Sequence, residues 1–240
     1  MACQSPEQPE GMILVPAGSK TKPFWIDETP VTVAAFSEFV KATHYKTQAE
    51  NFGDAGVFDF ETGNWGLVKG ANYLFPFGKN KTKSADNHPV TQVSWNDAQA
   101  YCKWAGKRLP TTKEWDWAAQ NGDENFKAQY PWGEMASEGG KYKVNFWQGS
   151  FPAHNTNEDG FLTTNPVGFY GKTPLGLSDL GGNVWQWCAD WDEQKPNERT
   201  QSGGSYLCDP SVCHGFQRER RSSSTPETSL CHVGFRCVKD

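Results

Sequence analysis

Residues 93–122 read VSWNDAQAYCKWAGKRLPTTKEWDWAAQNG, and this stretch alone predicts two helices in succession. Ser94 with Asp97, and Thr111 with Glu114, match the capping pattern in which a hydroxyl and an acid satisfy N–H groups that a first helical turn leaves without partners. Trp95, Ala98, Cys102 and Ala105 fall on one face of the first helix, which sets Cys102 against a core.

Toward the N-terminus, GMILVPAG (11–18) and FWIDETPVT (24–32) read as short strands, because apolar runs bounded by Gly and Pro suit strand length. A helix follows, with Val33, Phe36, Phe39 and Val40 at helical spacing and Ser37, Glu38 and Lys41 on the other face. Residues 47–90 are rich in Asn, Gly, Lys and aromatics without periodicity and are expected to form long surface excursions, which are usually functional. Residues 130–240 are expected to be loops held by something other than a regular sheet. No internal repeat or low-complexity linker occurs, so the chain divides into a flexible tether, 1–10, and one domain, 11–240.

The composition fits that division. Of 240 residues only 36% are hydrophobic, yet 11 Trp, 15 Phe and 7 Tyr supply the area for a core. The net charge of -5 and scattered basic residues exclude nucleic acid as a partner, because little here would release counterions from a phosphate backbone. No apolar run reaches the roughly 20 residues of a membrane-spanning helix. The five histidines, 44, 88, 154, 214 and 232, show no His-Glu-x-x-His spacing, and no G-x-S-x-G elbow occurs, so hydrolase chemistry finds no support.

GGSYLCDPSVC (203–213) carries the chemistry. Two cysteines with four residues between them make a structural disulfide, a redox pair or a soft-metal clamp, and on the residues alone the disulfide is the default. At the N-terminus, MACQSPEQPEG has two readings: the mature start of a bacterial lipoprotein anchored through Cys3, or an ordinary cytosolic start.

From GMILVPAG onward the chain resembles the formylglycine-generating enzyme (sulfatase-modifying factor) family. The resemblance rests on HPVTQVSWNDAQAYCKWAGKRLPT, YPWG, VNFWQGSFPAHNTNEDGF, LGLSDLGGNVWQWCADW, GGSYLCDPSVC and VGFRC, in that order. It implies an α+β fold of the C-type lectin-like kind, with a small twisted sheet, two or three helices and much irregular chain. It also implies an oxidase in which Cys208 and Cys213 bind Cu(I), and O2 and an external thiol or other reductant convert a cysteine of an unfolded sulfatase polypeptide to Cα-formylglycine. Another cysteine peptide as substrate, or a noncatalytic lectin-like binding module, are the alternatives.

Further residue roles follow from the same resemblance. Ser205 matches a serine beside the oxygen pocket, although Gly-Gly-Ser is also ordinary turn chemistry. Trp185, Ser229 and His232 match substrate-binding positions, with His232 standing where asparagine is frequent. The Asp209–Val212 insert departs from the family pattern, and Asp209 is expected to raise the thiolate pKa values. One structural calcium site would use Asn145, Phe146, Asp159 and Phe161; a second would use Asp179, Gly182, Val184 and Gln186, with Gln186 where an acid is usual. Cys102 matches a disulfide partner of Cys237, a closure contributing on the order of 4 kcal/mol. Cys188 and Cys231 have no family counterpart and are expected to pair with each other. These disulfides imply an exported, periplasmic or outer-surface monomer, with the cytoplasm as the alternative.

Overall fold

The computed structural model describes residues 8–240, so Cys3 and most of the predicted tether lie outside the described residues. Both predicted strands form: β1 (Met12–Val15) and β2 (Phe24–Asp27) pair antiparallel, with Met12 opposite Asp27 and Val15 opposite Phe24. The chain's last strand, β13 (Val238–Lys239), adds antiparallel to β2 and closes a three-stranded sheet from both ends of the chain.

The helices stand where their caps predict. In α1 (Val33–Thr43) the Thr32 hydroxyl accepts the Ala35 N–H, and Phe36 and Phe39 are buried. Both capping boxes are complete, Ser94 with Asp97 on α3 (Trp95–Trp104) and Thr111 with Glu114 on α4 (Thr112–Ala119). The buried Asp97 carboxylate also accepts from Tyr45 and from the backbone of Gln48, joining α3 to the start of α2 (Gln48–Phe52). Burial pushes the Asp97 pKa up, against the opposing pull of these bonds.

Two expectations need correction. Residues 47–90 are not only surface excursion: α2 carries its own capping box, and β3 (Asp54–Asp59) pairs with β4 (Asn64–Lys69) over its whole length. Nearly every residue of β4 is exposed, so the strand shows no alternation to read. Nor is the 130–240 region held without a regular sheet. After the two-residue hairpins β5 (Ser137–Glu138) with β6 (Lys141–Tyr142) and β7 (Gly149–Ser150) with β8 (His154–Asn155), a four-stranded sheet forms. Its strands are β9 (Trp185–Trp191), β10 (Arg199–Ser202), β11 (Arg221–Ser224) and β12 (Val233–Gly234), in the order β11-β10-β9-β12 with β12 parallel to β9. The first four residues of β9 are buried on both faces, which removes the alternation that marks a half-buried strand.

Arg236, fully buried between β12 and β13, ties the two sheets together. Its Nε donates to Gln186 Oε1 on β9 at 2.7 Å, its Nη1 to the carbonyls of Asp27 and Glu28, and its Nη2 to those of Ser178 and Asp179. These bonds use the full donor fork of a guanidinium. Desolvation lowers its pKa to about 10, opposed by the Asp179 and Asp27 charges, so the group stays charged at neutral pH. Arg236→Leu leaves those acceptors unpaired and is expected to cost about 3–5 kcal/mol, read as a lower denaturation midpoint in urea. An unchanged midpoint contradicts this assignment.

Candidate active site

Cys208 and Cys213 belong to a loop whose two legs pass unusually close. Gly203 and Gly204 follow β10 with φ of 96° and 71°. A Cβ on Gly204 would lie 2.5 Å from Gly215 C and Phe216 N, and one on Gly215 would lie 2.6 Å from Trp185 Cζ2 and 2.7 Å from Cys208 Sγ. Only glycine permits this approach, and it seats the Cys208 sulfur against Trp185. Asp209 shapes the turn between the cysteines. Its carbonyl accepts the N–H groups of Val212 and Cys213, and its carboxylate accepts from Ser211 N at 2.6 Å, Ser211 Oγ at 2.5 Å and Phe151 N at 3.1 Å. Burial acts to raise the Asp209 pKa, but these bonds outweigh it and hold the carboxyl below the usual range.

The two thiols shift each other's ionisation and differ in character. Cys208 is buried, and desolvation followed by the neighbouring sulfur pushes its pKa well up, although Ser205 N–H donates to its Sγ at 3.3 Å. Cys213 is exposed; the neighbouring Cys208, with help from the Gly215 N–H at 3.3 Å, pulls its pKa down. The Asp209 charge does raise Cys213, as expected, but it is the smallest of the contributions and the net shift is downward. One sulfur, its pKa lowered, faces solvent and the other is buried behind it, a soft donor set that fits a soft monovalent cation.

Beside the sulfurs lies a hydroxyl and imidazole pair. Ser205 is fully buried, its Oγ accepts the Leu207 N–H at 3.2 Å, and it lies 2.9 Å from His232 Nδ1. Burial lowers the His232 pKa to about 3. Ser229 Oγ is buried without a protein partner on the same segment, which Gly56 of β3 anchors by bonding Ser229 O and Cys231 N. Trp65 of β4 sits with its ring 5.0 Å from that of His232 and is 46% exposed. Cys208, Cys213, Ser205, Trp185 and His232 thus converge. Sequence reasoning missed Trp65 and Gly215, whose only signals were an aromatic on an exposed strand and a glycine two residues after a cysteine.

The proposed calcium ligands divide. At the first site Asn145 Oδ1 is buried without a partner, the Asp159 carboxyl is buried and raised in pKa by desolvation, and the Phe146 carbonyl is met by the Gln148 amide. An unpartnered oxygen beside a buried carboxylate fits a hard cation. At the second, Gln186 Oε1 accepts from Trp115 Nε1 and Arg236 Nε, and Asp179 accepts from Gly168 N and Asn183 Nδ2. With its amide oxygen taken and a guanidinium alongside, that set does not fit a second cation. Among the described residues no three His, Cys, Asp or Glu side chains are grouped to hold a metal.

The remaining cysteines also divide. Cys102 and Cys237 sulfurs lie 2.8 Å apart, so the structure brings them together as thiols. The expected Cys188–Cys231 pairing is not made. Cys188 packs with Trp115 and Leu180 and meets Ser202 Oγ, whereas Cys231 packs with Phe58 and Tyr206 and accepts the Phe58 N–H. Separate cores hold them, and each sulfur is already engaged in its own.

Residues 4–240 match the family described as sulfatase-modifying factor enzyme 1-like domain. The chain is 42% identical to the formylglycine-generating enzyme of Streptomyces coelicolor, over 92% of this chain and 79% of that protein. It is 39% identical to the formylglycine-generating enzyme of Thermomonospora curvata over 98% and 87% respectively. A Mus musculus relative, 39% identical over 90% of this chain and 75% of its own length, carries the name inactive C-alpha-formylglycine-generating enzyme 2. Among solved structures, PvdO from Pseudomonas aeruginosa shares the fold with a TM-score of 0.66 at 21% identity, covering 95% of this chain and 90% of that one. With residues 4–240 matching the family and relatives of about 40% identity covering most of the chain, the chain belongs to the sulfatase-modifying factor family.

Proposed function

We propose that this protein is a copper-dependent oxidase that converts a cysteine of a sulfatase polypeptide to Cα-formylglycine. The observation that carries the reading is the Cys208–Cys213 pair, one sulfur buried and one exposed with a lowered pKa. Relatives of about 40% identity named formylglycine-generating enzymes support the cysteine-to-formylglycine conversion. The stoichiometry closes when one cysteine side chain and one dioxygen molecule, with two electrons and two protons, give one aldehyde, one hydrogen sulfide and one water. An external reductant, a thiol for instance, must deliver the two electrons.

Cys208 and Cys213 would hold Cu(I), which when bound supplies the one-electron reactivity toward O2 that thiols and amides lack. The chain supplies position. Gly204 and Gly215 fix the Cys208 sulfur against Trp185, and Asp209 folds the turn that returns Cys213 beside it. Cys213, being exposed, is the sulfur an incoming substrate thiol meets. Ser205 offers a buried hydroxyl next to Cys208. Trp65 and His232 would form the wall along which an extended peptide lies, with the buried Ser229 on the segment that carries His232. The Asp209–Val212 insert and His232, which depart from the family pattern, favour one second reading: the same chemistry on a different cysteine peptide.

An anaerobic titration is expected to bind one Cu(I) per chain, and exposure to O2 with reductant and a Cys-x-Pro-x-Arg peptide to yield aldehyde. Cys208→Ser and Cys213→Ser should each lower turnover by more than about a hundredfold and abolish the stoichiometric Cu(I) signal. Turnover undiminished in either variant refutes the reading; oxidation of another thiol peptide instead supports the second.

The first calcium set gives an independent expectation. Calcium at a hundred times its dissociation constant should stabilise the protein by about 2.7 kcal/mol. The effect should vanish in Asp159→Asn and persist in Asp179→Asn, with one ion bound per chain by equilibrium dialysis. Two ions per chain would show that the second set binds after all.

A further inference from the structure

We propose that His232 fixes the direction of the Ser205 hydroxyl: Nδ1–H donates into Ser205 Oγ, leaving the serine's one proton to point at whatever binds beside Cys208. The geometry comes from the chain alone, and its purpose rests on the oxidase reading above.

A serine hydroxyl has one proton to give and two lone pairs to fill. At Ser205 the Leu207 N–H takes one lone pair at 3.2 Å, and His232 Nδ1 stands 2.9 Å away as the second contact. Burial keeps the imidazole neutral, so it carries a single N–H whose place decides the direction of the bond. With the proton on Nδ1, both lone pairs of Oγ are occupied and the hydroxyl proton is left to turn toward the Cys208 sulfur. With it on Nε2, the ring consumes the serine proton, and Ser205 presents only a lone pair to an incoming oxygen atom. A fully buried hydroxyl adjoining the Cys208 sulfur through its own backbone N–H is suited to donate to an electron-rich oxygen, and only the first arrangement lets it do so. The Trp65 ring, 5.0 Å from the imidazole, and Tyr206, 6.5 Å away, hold the ring in place. His232 is therefore a positioning residue that acts through Ser205.

Long-range 1H–15N spectra of the metal-free protein test this without turnover. The expected result is a His232 ring protonated at Nδ1, with that nitrogen's resonance displaced in Ser205→Ala; a proton on Nε2, or spectra indifferent to the serine, overturns the proposal. In the copper-loaded enzyme, His232→Ala should lower kcat on the order of tenfold with Cu(I) affinity unchanged. His232→Asn, which restores an N–H donor, should recover most of the loss, whereas His232→Asp, of the same size with acceptors only, should not. Equal behaviour of Asn and Asp also overturns it. If the wild-type protein oxidises no peptide, the oxidase reading fails and the spectra decide the histidine and serine geometry by themselves.

Discussion

The guanidinium of Arg236 is the point on which both sheets and the active-site wall depend. It reaches the end of β2 through the Asp27 and Glu28 carbonyls, the 178–179 loop through two more, and β9 through Gln186. A buried charge survives only if its donors are met and opposite charge is near, and here backbone oxygens meet the donors while the Asp27 and Asp179 carboxylates balance the charge. Asp27 is itself held by Lys107 at 2.6 Å and by the Cys237 N–H, so the closing strand and the β2 edge are bound into one polar knot. The same arginine lies where the family resemblance places a second cation. One fixed positive charge supplied by the chain gathers carbonyl oxygens that loops cannot otherwise turn inward.

From that knot the route to the site runs through β9. Gln186 fixes its depth, Trp185 beside it forms the wall behind Cys208, and β12, parallel to β9, delivers His232 directly before Val233. The Trp185 N–H bonds the His232 carbonyl, so the aromatic wall and the imidazole cannot move independently. The 203–215 loop closes over this platform by glycine contacts together with the buried side chains of Tyr206 and Leu207. A site assembled this way depends on backbone approach distances, and the residues that maintain them are not those that do the chemistry.

How much of this the sequence disclosed follows from what each signal measures. Capping boxes and helical spacing are local, so α1, α3 and α4 were legible to the residue. The β3–β4 hairpin was not, because Trp65 and Leu67 face solvent on a strand that buries almost nothing, and period-2 reasoning needs a buried face. Trp185–Trp191 was hidden for the opposite reason, being buried on both faces and carrying polar Gln186 inside. Cys208, Cys213, Ser205 and His232 were recognisable by resemblance, yet their bonds were not: the 2.9 Å contact from Ser205 to His232 spans 27 residues. The Cys188–Cys231 expectation failed because leftover cysteines were matched by count, whereas each sits in a core of its own.

Family membership by itself leaves activity open, since relatives of nearly equal identity carry both the active and the inactive name. What distinguishes the two sulfurs of this chain is local electrostatics. Two equally buried thiols would each resist ionisation and tend to remain a closed pair, and two exposed ones would bind metal without shielding it. Here the loop geometry sets one sulfur behind the other, so desolvation acts on Cys208 while Cys213 faces water. Were a soft cation bound there, Cys213 would meet it from the solvent side and Cys208 from behind, a placement that the sequence spacing permits but that only the glycine-tight fold of the loop imposes.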